Sequence, residues 1–276
     1  MSYNKNLLTL FSESEYYSLK YKNYFPIYEK LFSRFRGKKI TFVEIGVLSG
    51  GSLFMWRNYF GKDARIIGVE LNPDAKRFEK DGFEIHIGNQ SDKKFWKFFF
   101  EKVGQVDIIL DDGGHTNFQQ IVTTSSCVPF IKDEGILVVE DVFHSYGVSY
   151  GKKGFYNPSK YSFINFCKKI VDDINYRFPE SKKFQFSLNK YVSSINFFEA
   201  IVAFNIDRNL CKSINEVLYS SGKNIEAKDY AHIHSENVPG SNKFIIMIKK
   251  ILKSARSNFK YVVFKINEYQ SKKYFK

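Results

Sequence analysis

From Ile40 to about residue 141, short apolar runs alternate with longer amphipathic stretches. The runs are residues 40–46 (ITFVEIG), 65–71 (RIIGVEL), 83–88 (FEIHIG), 106–112 (VDIILDD) and 135–141 (GILVVED). Each has the length and β-branched content of a buried parallel strand, and the segments between them are long enough for crossover helices. Five such units in order predict an α/β fold with a Rossmann-like, doubly wound sheet. Near residue 190 the pattern changes. Residues 192–198 (VSSINFF) and 200–206 (AIVAFNI) are nearly contiguous and predict an antiparallel hairpin closing one edge, which makes seven strands, mostly parallel. Residues 1–37 read as helical, with Tyr17, Tyr21, Tyr24, Tyr28 and Phe32 at mixed three- and four-residue spacing. The chain therefore divides into an N-terminal helical segment (1–37), a sheet domain (38–206) and a basic, helical C-terminal extension (207–276).

Composition narrows the class. The chain has 276 residues, of which 43% are hydrophobic and 26% charged, which excludes a wholly disordered protein. Cys127, Cys167 and Cys211 are too few and too scattered for a disulfide framework or a cysteine-based zinc site, and read as buried fillers. No apolar run approaches the ~20 residues that span a bilayer. The N-terminus, MSYNKNLLTLFSESE, carries a short apolar stretch followed by acids, unlike a secretory signal. A cytoplasmic protein is the expectation.

The net charge of +13 points to anionic partners, but it is uneven. Residues 241–276 carry ten Lys or Arg against the single acid Glu268, so +9 of the +13 sits there. The body of the chain lacks the charge distribution of a nucleic-acid binder. The tail reads as a helix with a solvated Lys face; the sharper reading is peripheral association with anionic lipid at the inner membrane surface. A third reading has it lining the entrance for a phosphorylated donor.

In an open α/β sheet, ligands bind beyond the carboxyl ends of the strands. Strand one ends in Glu44-Ile45-Gly46-Val47-Leu48-Ser49-Gly50-Gly51-Ser52, a glycine-rich turn that lets a cofactor lie against the backbone. Strand two ends in Glu70, placed to accept hydrogen bonds from ribose hydroxyls. The GxGxxG dinucleotide fingerprint is absent, so a ribose-bearing cofactor without a diphosphate fits better. Strand four ends in Asp111-Asp112-Gly113-Gly114-His115 and strand five in Glu140-Asp141. Four carboxylates on one rim raise each other's pKa values unless a cation compensates them, and all-oxygen ligands suit Mg2+ or Mn2+. The alternative for Asp111 and Asp141 is capping of the following helices. His86, inside a strand, reads as structural, and His232 and His234 as surface or pocket-lining residues.

These motifs resemble those of class I S-adenosylmethionine-dependent methyltransferases. More narrowly, the chain is similar to the metal-dependent sugar O-methyltransferases of macrolide biosynthesis and their cephalosporin hydroxylase-labelled relatives. The shared segments are Glu44 to Ser52, Gly88-Asn89-Gln90-Ser91-Asp92, Leu110 to His115, and Glu140 to Tyr146 followed by Tyr150-Gly151. The resemblance implies that Asp112, Glu140 and Asp141 hold Mg2+ or Mn2+ and that His115 is the general base. It implies that Glu70 holds the ribose, that Gln90 and Ser91 lie near the adenine, and that Gly46 and its neighbours face the methionine part. The expected cofactor-binding set is Glu44, Gly46, Ser49, Gly51, Ser52, Glu70, Asn89, Gln90, Ser91 and Asp111; His144, Tyr146 and Tyr150 would touch the acceptor. Asn89 stands where the family has an acid, and His144 where it more often has a small hydroxyl residue. The family's N-terminal His/Lys signature is represented only by Lys20, Lys22 and Tyr24.

The resulting expectation is O-methylation of a sugar, nucleotide-linked or part of a surface polysaccharide or other glycan precursor, by a homo-oligomeric enzyme with no nucleic-acid partner. A nucleic-acid methyltransferase lacks support, since DDGGH replaces an Asn-Pro-Pro-aromatic clamp. A non-catalytic, membrane-associated scaffold is disfavoured by the acids and His115.

Overall fold

The computed structural model describes residues 5–146, 158, 160–178, 188–212 and 218–222. The chain clusters into two compact units, Met1–Glu216 and Val217–Lys276. Tyr150, His232, His234 and the basic 241–276 tail lie outside the described residues.

The first unit opens with α1 (Leu7–Ser12) and α2 (Tyr24–Phe32), followed by β1 (Thr41–Ile45), α3 (Gly51–Phe60) and β2 (Arg65–Glu70). A 3-10 stretch, Pro73–Asp81, leads to β3 (Glu84–Ile87), α4 (Lys93–Val103), β4 (Val106–Asp111), α5 (Asn117–Cys127) and β5 (Ile131–Val139). The last regular elements among the described residues are α6 (Phe163–Asn175), β6 (Val192–Phe198), β7 (Ile201–Ile206) and α7 (Arg208–Cys211). The seven strands form one sheet in the order β3-β2-β1-β4-β5-β7-β6. β1 to β5 pair in parallel, and β7 runs antiparallel between β5 and β6, so the predicted hairpin closes the edge.

Strand alternation separates two cores. Phe42, Ile66, Ile108 and Leu110 face one way and pack with α2 and α3 around Trp56. Val43, Ile45, Ile67 and Ile109 face the other and pack with residues of α4, α5 and α6. The strand order reverses between β1 and β4, where Asp112 N–H donates to the Ile45 carbonyl at 3.0 Å. That reversal opens the crevice in which α/β proteins bind ligands.

The helical reading of residues 1–37 needs one correction. α1 stops at Ser12, and Tyr17 and Tyr21 lie in a non-helical strap before α2 rather than on a helix. The strap's own contacts explain this. The Ser14 hydroxyl donates to the Gly51 carbonyl at 2.7 Å, and the Tyr16 ring packs against Phe54 and Phe78 with centroids 5.0 and 5.6 Å away. These anchors draw the chain along the carboxyl edge of the sheet, a path longer per residue than a helix of 1.5 Å rise covers. Only Tyr24, Tyr28 and Phe32 keep the helical stripe and enter the core.

Candidate functional site

A cavity of about 480 Å³ opens at the carboxyl ends of β1, β2 and β4, with the strap along one side. Its floor is the turn after β1. Gly46 has φ +91°, and a Cβ there would lie 2.2 Å from the Asp112 carbonyl oxygen. Two backbones cross at this point, and only glycine permits it. Gly51, by contrast, is covered: a Cβ would meet the Tyr16 carbonyl oxygen at 2.1 Å.

Glu70 at the end of β2 lines the cavity. Its Oε2 accepts the backbone N–H groups of Val47 (2.8 Å) and Leu48 (3.1 Å), and its Oε1 those of Leu71 (2.7 Å) and Asn72 (3.0 Å). Burial opposes ionisation, but the four donors outweigh it and hold the carboxyl below its ordinary range. Glu70 thus ties the glycine turn to the loop after β2. Four donors fill about as many lone-pair sites as a carboxylate has, so a ribose hydroxyl would share or displace one of them.

Gln90 bridges two motifs. Its Nε2 donates to Asp111 Oδ1 at 3.0 Å and to the Thr123 hydroxyl at 3.1 Å, and its Oε1 accepts Gly114 N–H at 2.7 Å. Asp111 lies beneath the rim, 1% exposed, and burial pushes its carboxyl up to about 6 against the Gln90 and Gly113 donors. It does not cap α5, whose cap is a reciprocal Thr116–Gln119 box.

Of the ten residues expected to touch the cofactor, Gly46, Ser49, Ser52, Glu70, Asn89 and Gln90 line the cavity. Glu44, Gly51, Ser91 and Asp111 are not among the lining residues. Glu44 is fully buried, accepting from the Ser52 hydroxyl at 2.8 Å and the Trp56 indole at 3.1 Å. Burial pushes its carboxyl up to about 7 against the opposing Lys20, Ser52 and Trp56.

The acid cluster has a cation within it. Lys20 of the strap has a side chain only 1% exposed, with Nζ 2.5 Å from Asp112 Oδ2 and 3.0 and 3.1 Å from the two oxygens of Glu140. Glu44 Oε1 is 3.9 Å away on another side. Burial alone would lower the Lys20 pKa, but Asp112, Glu140 and Glu44 together raise it well above its ordinary value. The Tyr28 hydroxyl donates to Glu140 Oε1 at 2.5 Å, and the Tyr24 hydroxyl donates to Asp141 Oδ1. Burial and Asp112 raise the Glu140 carboxyl above the usual carboxylate range, while the Lys20 and Tyr28 donors favour its charged form.

The remaining oxygens face outward. Asp112 Oδ1 is 3.9 Å and Asp141 Oδ2 3.6 Å from His115 Nε2, and all three residues are partly exposed. One ligand atom from each of Asp112, His115 and Asp141 falls within 4.8 Å of the others. His115 and Asp141 both have positive φ, 56° and 55°. These are strained conformations of the kind that concentrate at functional sites. His144 stacks on His115, with centroids 5.6 Å apart and planes 4° from parallel, while Tyr146 packs on the second core. Sequence reasoning placed neither Lys20 nor the Tyr24 and Tyr28 hydroxyls at this cluster, although Lys20 and Tyr24 fall in the thin N-terminal signature.

Comparison with known proteins follows the same lines. Residues 43–142 match a sequence-family model described as a methyltransferase domain. Over 160 residues the chain is 31% identical to 8-demethyl-8-alpha-L-rhamnosyl tetracenomycin-C 2'-O-methyltransferase of Streptomyces olivaceus, covering 55% of this chain and 41% of the relative. It is 25% identical over 159 residues to mycinamicin VI 2''-O-methyltransferase of Micromonospora griseorubida, covering 55% and 39%. The chain thus spans about two fifths of the length of these relatives. Among solved structures, the MycE methyltransferase of the mycinamycin pathway, in complex with Mg, S-adenosylhomocysteine and mycinamycin VI, superposes with a TM-score of 0.65 at 22% identity. That superposition covers 74% of this chain and 54% of MycE, and shows a shared fold. Residues 43–142 are therefore similar to a methyltransferase domain, and the chain resembles the sugar O-methyltransferases of antibiotic biosynthesis.

Proposed function

We propose that this chain is an S-adenosylmethionine-dependent, divalent-metal-assisted O-methyltransferase acting on a sugar hydroxyl. The observation that carries the reading is the meeting of two carboxylates and one imidazole, Asp112, Asp141 and His115, beside a cavity floored by the Gly46 turn. The names of the tetracenomycin and mycinamicin relatives supply the reaction class.

The cavity fits a nucleoside-bearing cofactor. Glu70 orders the two loops against which a ribose would lie, while Asn89 and Gln90 stand on the adenine side. S-adenosylmethionine supplies the methyl group as a sulfonium. The outward oxygens of Asp112 and Asp141 fit a hard cation such as Mg2+ or Mn2+, which characteristically takes one or two protein carboxylates and leaves other positions to water and substrate. A divalent ion there supplies the charge that stabilises a developing alkoxide.

The chain's own groups do the rest. His115 accepts the proton of the acceptor hydroxyl at Nε2, acting as a positioned general base. Tyr24 fixes one oxygen of Asp141, leaving the other turned toward His115 at 3.6 Å, where the ion would sit. Holding acceptor and sulfonium in line supplies ~7–11 kcal/mol of the barrier. The acceptor is a sugar with a neighbouring hydroxyl, carried on a nucleotide, a lipid or a larger glycan.

Calorimetric titration with S-adenosylhomocysteine, with and without Mg2+, tests the reading. Micromolar binding that disappears in Glu70→Ala supports it. No binding in either condition overturns it.

A further inference from the structure

The acid cluster at the carboxyl edge is not a bare set of carboxylates awaiting an ion. Lys20 donates to both oxygens of Glu140 and to Oδ2 of Asp112, and its side chain is shut off from solvent. Tyr28 takes a further position on Glu140 Oε1. Every donor to the Glu140 carboxylate in the described structure comes from the N-terminal segment, and that side chain is as buried as Lys20. The ligand-sized cluster contains Asp112, His115 and Asp141 and omits Glu140.

We propose that Lys20 is the resident cation of this cluster. It neutralises Glu140 and turns one oxygen of Asp112 inward. The other Asp112 oxygen and Asp141 are thereby left as the place for a single external divalent ion beside His115. Lys20 acts through Asp112 and Glu140 and is a positioning residue, not a catalytic one. The inference rests on the metal-assisted reading above and deepens it, because it removes Glu140 from the direct ligands that the family resemblance implies.

Charge arithmetic separates this from the alternatives. An ammonium a few ångströms from a dication repels it strongly where water is excluded. Removing the Glu140 charge alone should then leave that repulsion uncompensated, and removing Lys20 alone should relieve it. Removing both as near-isosteres should leave the outer site close to its original state.

The test uses Mn2+ as the probe, with free ion counted by electron paramagnetic resonance. It compares the full chain with Glu140→Gln, Lys20→Met and the double variant, each also followed by thermal unfolding without metal. Binding should weaken at least ~10-fold in Glu140→Gln and tighten by a similar factor in Lys20→Met, each tenfold being ~1.4 kcal/mol. The double variant should return to within about threefold of the parent, a non-additivity expected only of directly coupled charges. A double variant as weak as Glu140→Gln would make Glu140 a metal ligand and overturn the proposal. So would a Lys20→Met protein that is folded and binds like the parent. If Lys20→Met does not fold, the Glu140→Gln and double variants still decide.

Failure of the metal reading is distinguishable. If the parent binds no Mn2+, the metal-free unfolding cycle alone decides the role of Lys20. Losses in the two single variants that the double largely recovers support the resident cation, and losses that simply add refute it.

Discussion

Tyr28 and Lys20 meet on the same oxygen of Glu140: the phenol donates from 2.5 Å and the ammonium from 3.0 Å. The tyrosine is fully buried in the first core, so its hydroxyl has no water to turn to. Tyr28→Phe keeps the ring packing against Phe32 and Trp56 and removes only that donor. A lost hydrogen bond to a charged, buried acceptor costs about 1.5–3 kcal/mol. Chemical denaturation should show a loss in that range, and an unchanged midpoint would place the stabilising work on Lys20 alone.

Glu44 gives the fold a pH signature. Its carboxyl is pushed up to about 7 in the fold from the ordinary 4.5, so the protonated form favours the native state. That contribution is complete below pH 4.5 and is lost as pH rises through 7. It amounts to on the order of 3 kcal/mol across the window. Urea unfolding at pH 4.5 and pH 7.5 should show the parent losing stability relative to Glu44→Gln over this interval. Parallel curves for the two proteins would contradict the assignment.

His115→Ala should abolish methyl transfer while leaving S-adenosylhomocysteine affinity within about threefold and Mn2+ affinity nearly intact, as removal of a general base does. Two titrations and one turnover assay decide it. A variant that loses Mn2+ would instead make the imidazole a ligand, and one that keeps turnover would remove it from the chemistry.

Gly46→Ala should fail in a different way. The methyl group meets the Asp112 carbonyl oxygen at 2.2 Å and the backbone sits at φ +91°. Both strains press the β1 and β4 ends apart, at a cost of about 1–3 kcal/mol for the backbone conformation alone. Loss of cofactor binding together with a lower unfolding midpoint is expected, and unaltered binding would mean that the crossing can yield.

The strand ends were readable because strand periodicity is local: Ile108 to Asp111 announce a buried strand, and Asp112 through His115 follow as its exit. Glu140 and Asp141 are legible for the same reason. The inward fate of Glu44 is not, because a buried acid in a strand looks like any strand-end acid until Ser52 and Trp56 are placed against it. Lys20 is the clearest case. It lies 92 residues from Asp112 and 120 from Glu140, and nothing in its own neighbourhood marks it as buried. Its course follows from Ser14 and Tyr16 docking on α3, a tertiary event that no spacing encodes.

The strap also sets an order of assembly. A chain that emerges from its N-terminus presents Lys20 long before the carboxylates it will neutralise have been made. Closing a loop of that size carries an entropic cost that must be met before the contact forms. The reactive edge can therefore mature only after β5 has joined β4. A nascent chain arrested short of Glu140 would hold the Gly46 turn, the strap and the ammonium, yet lack the carboxylate that completes the cluster.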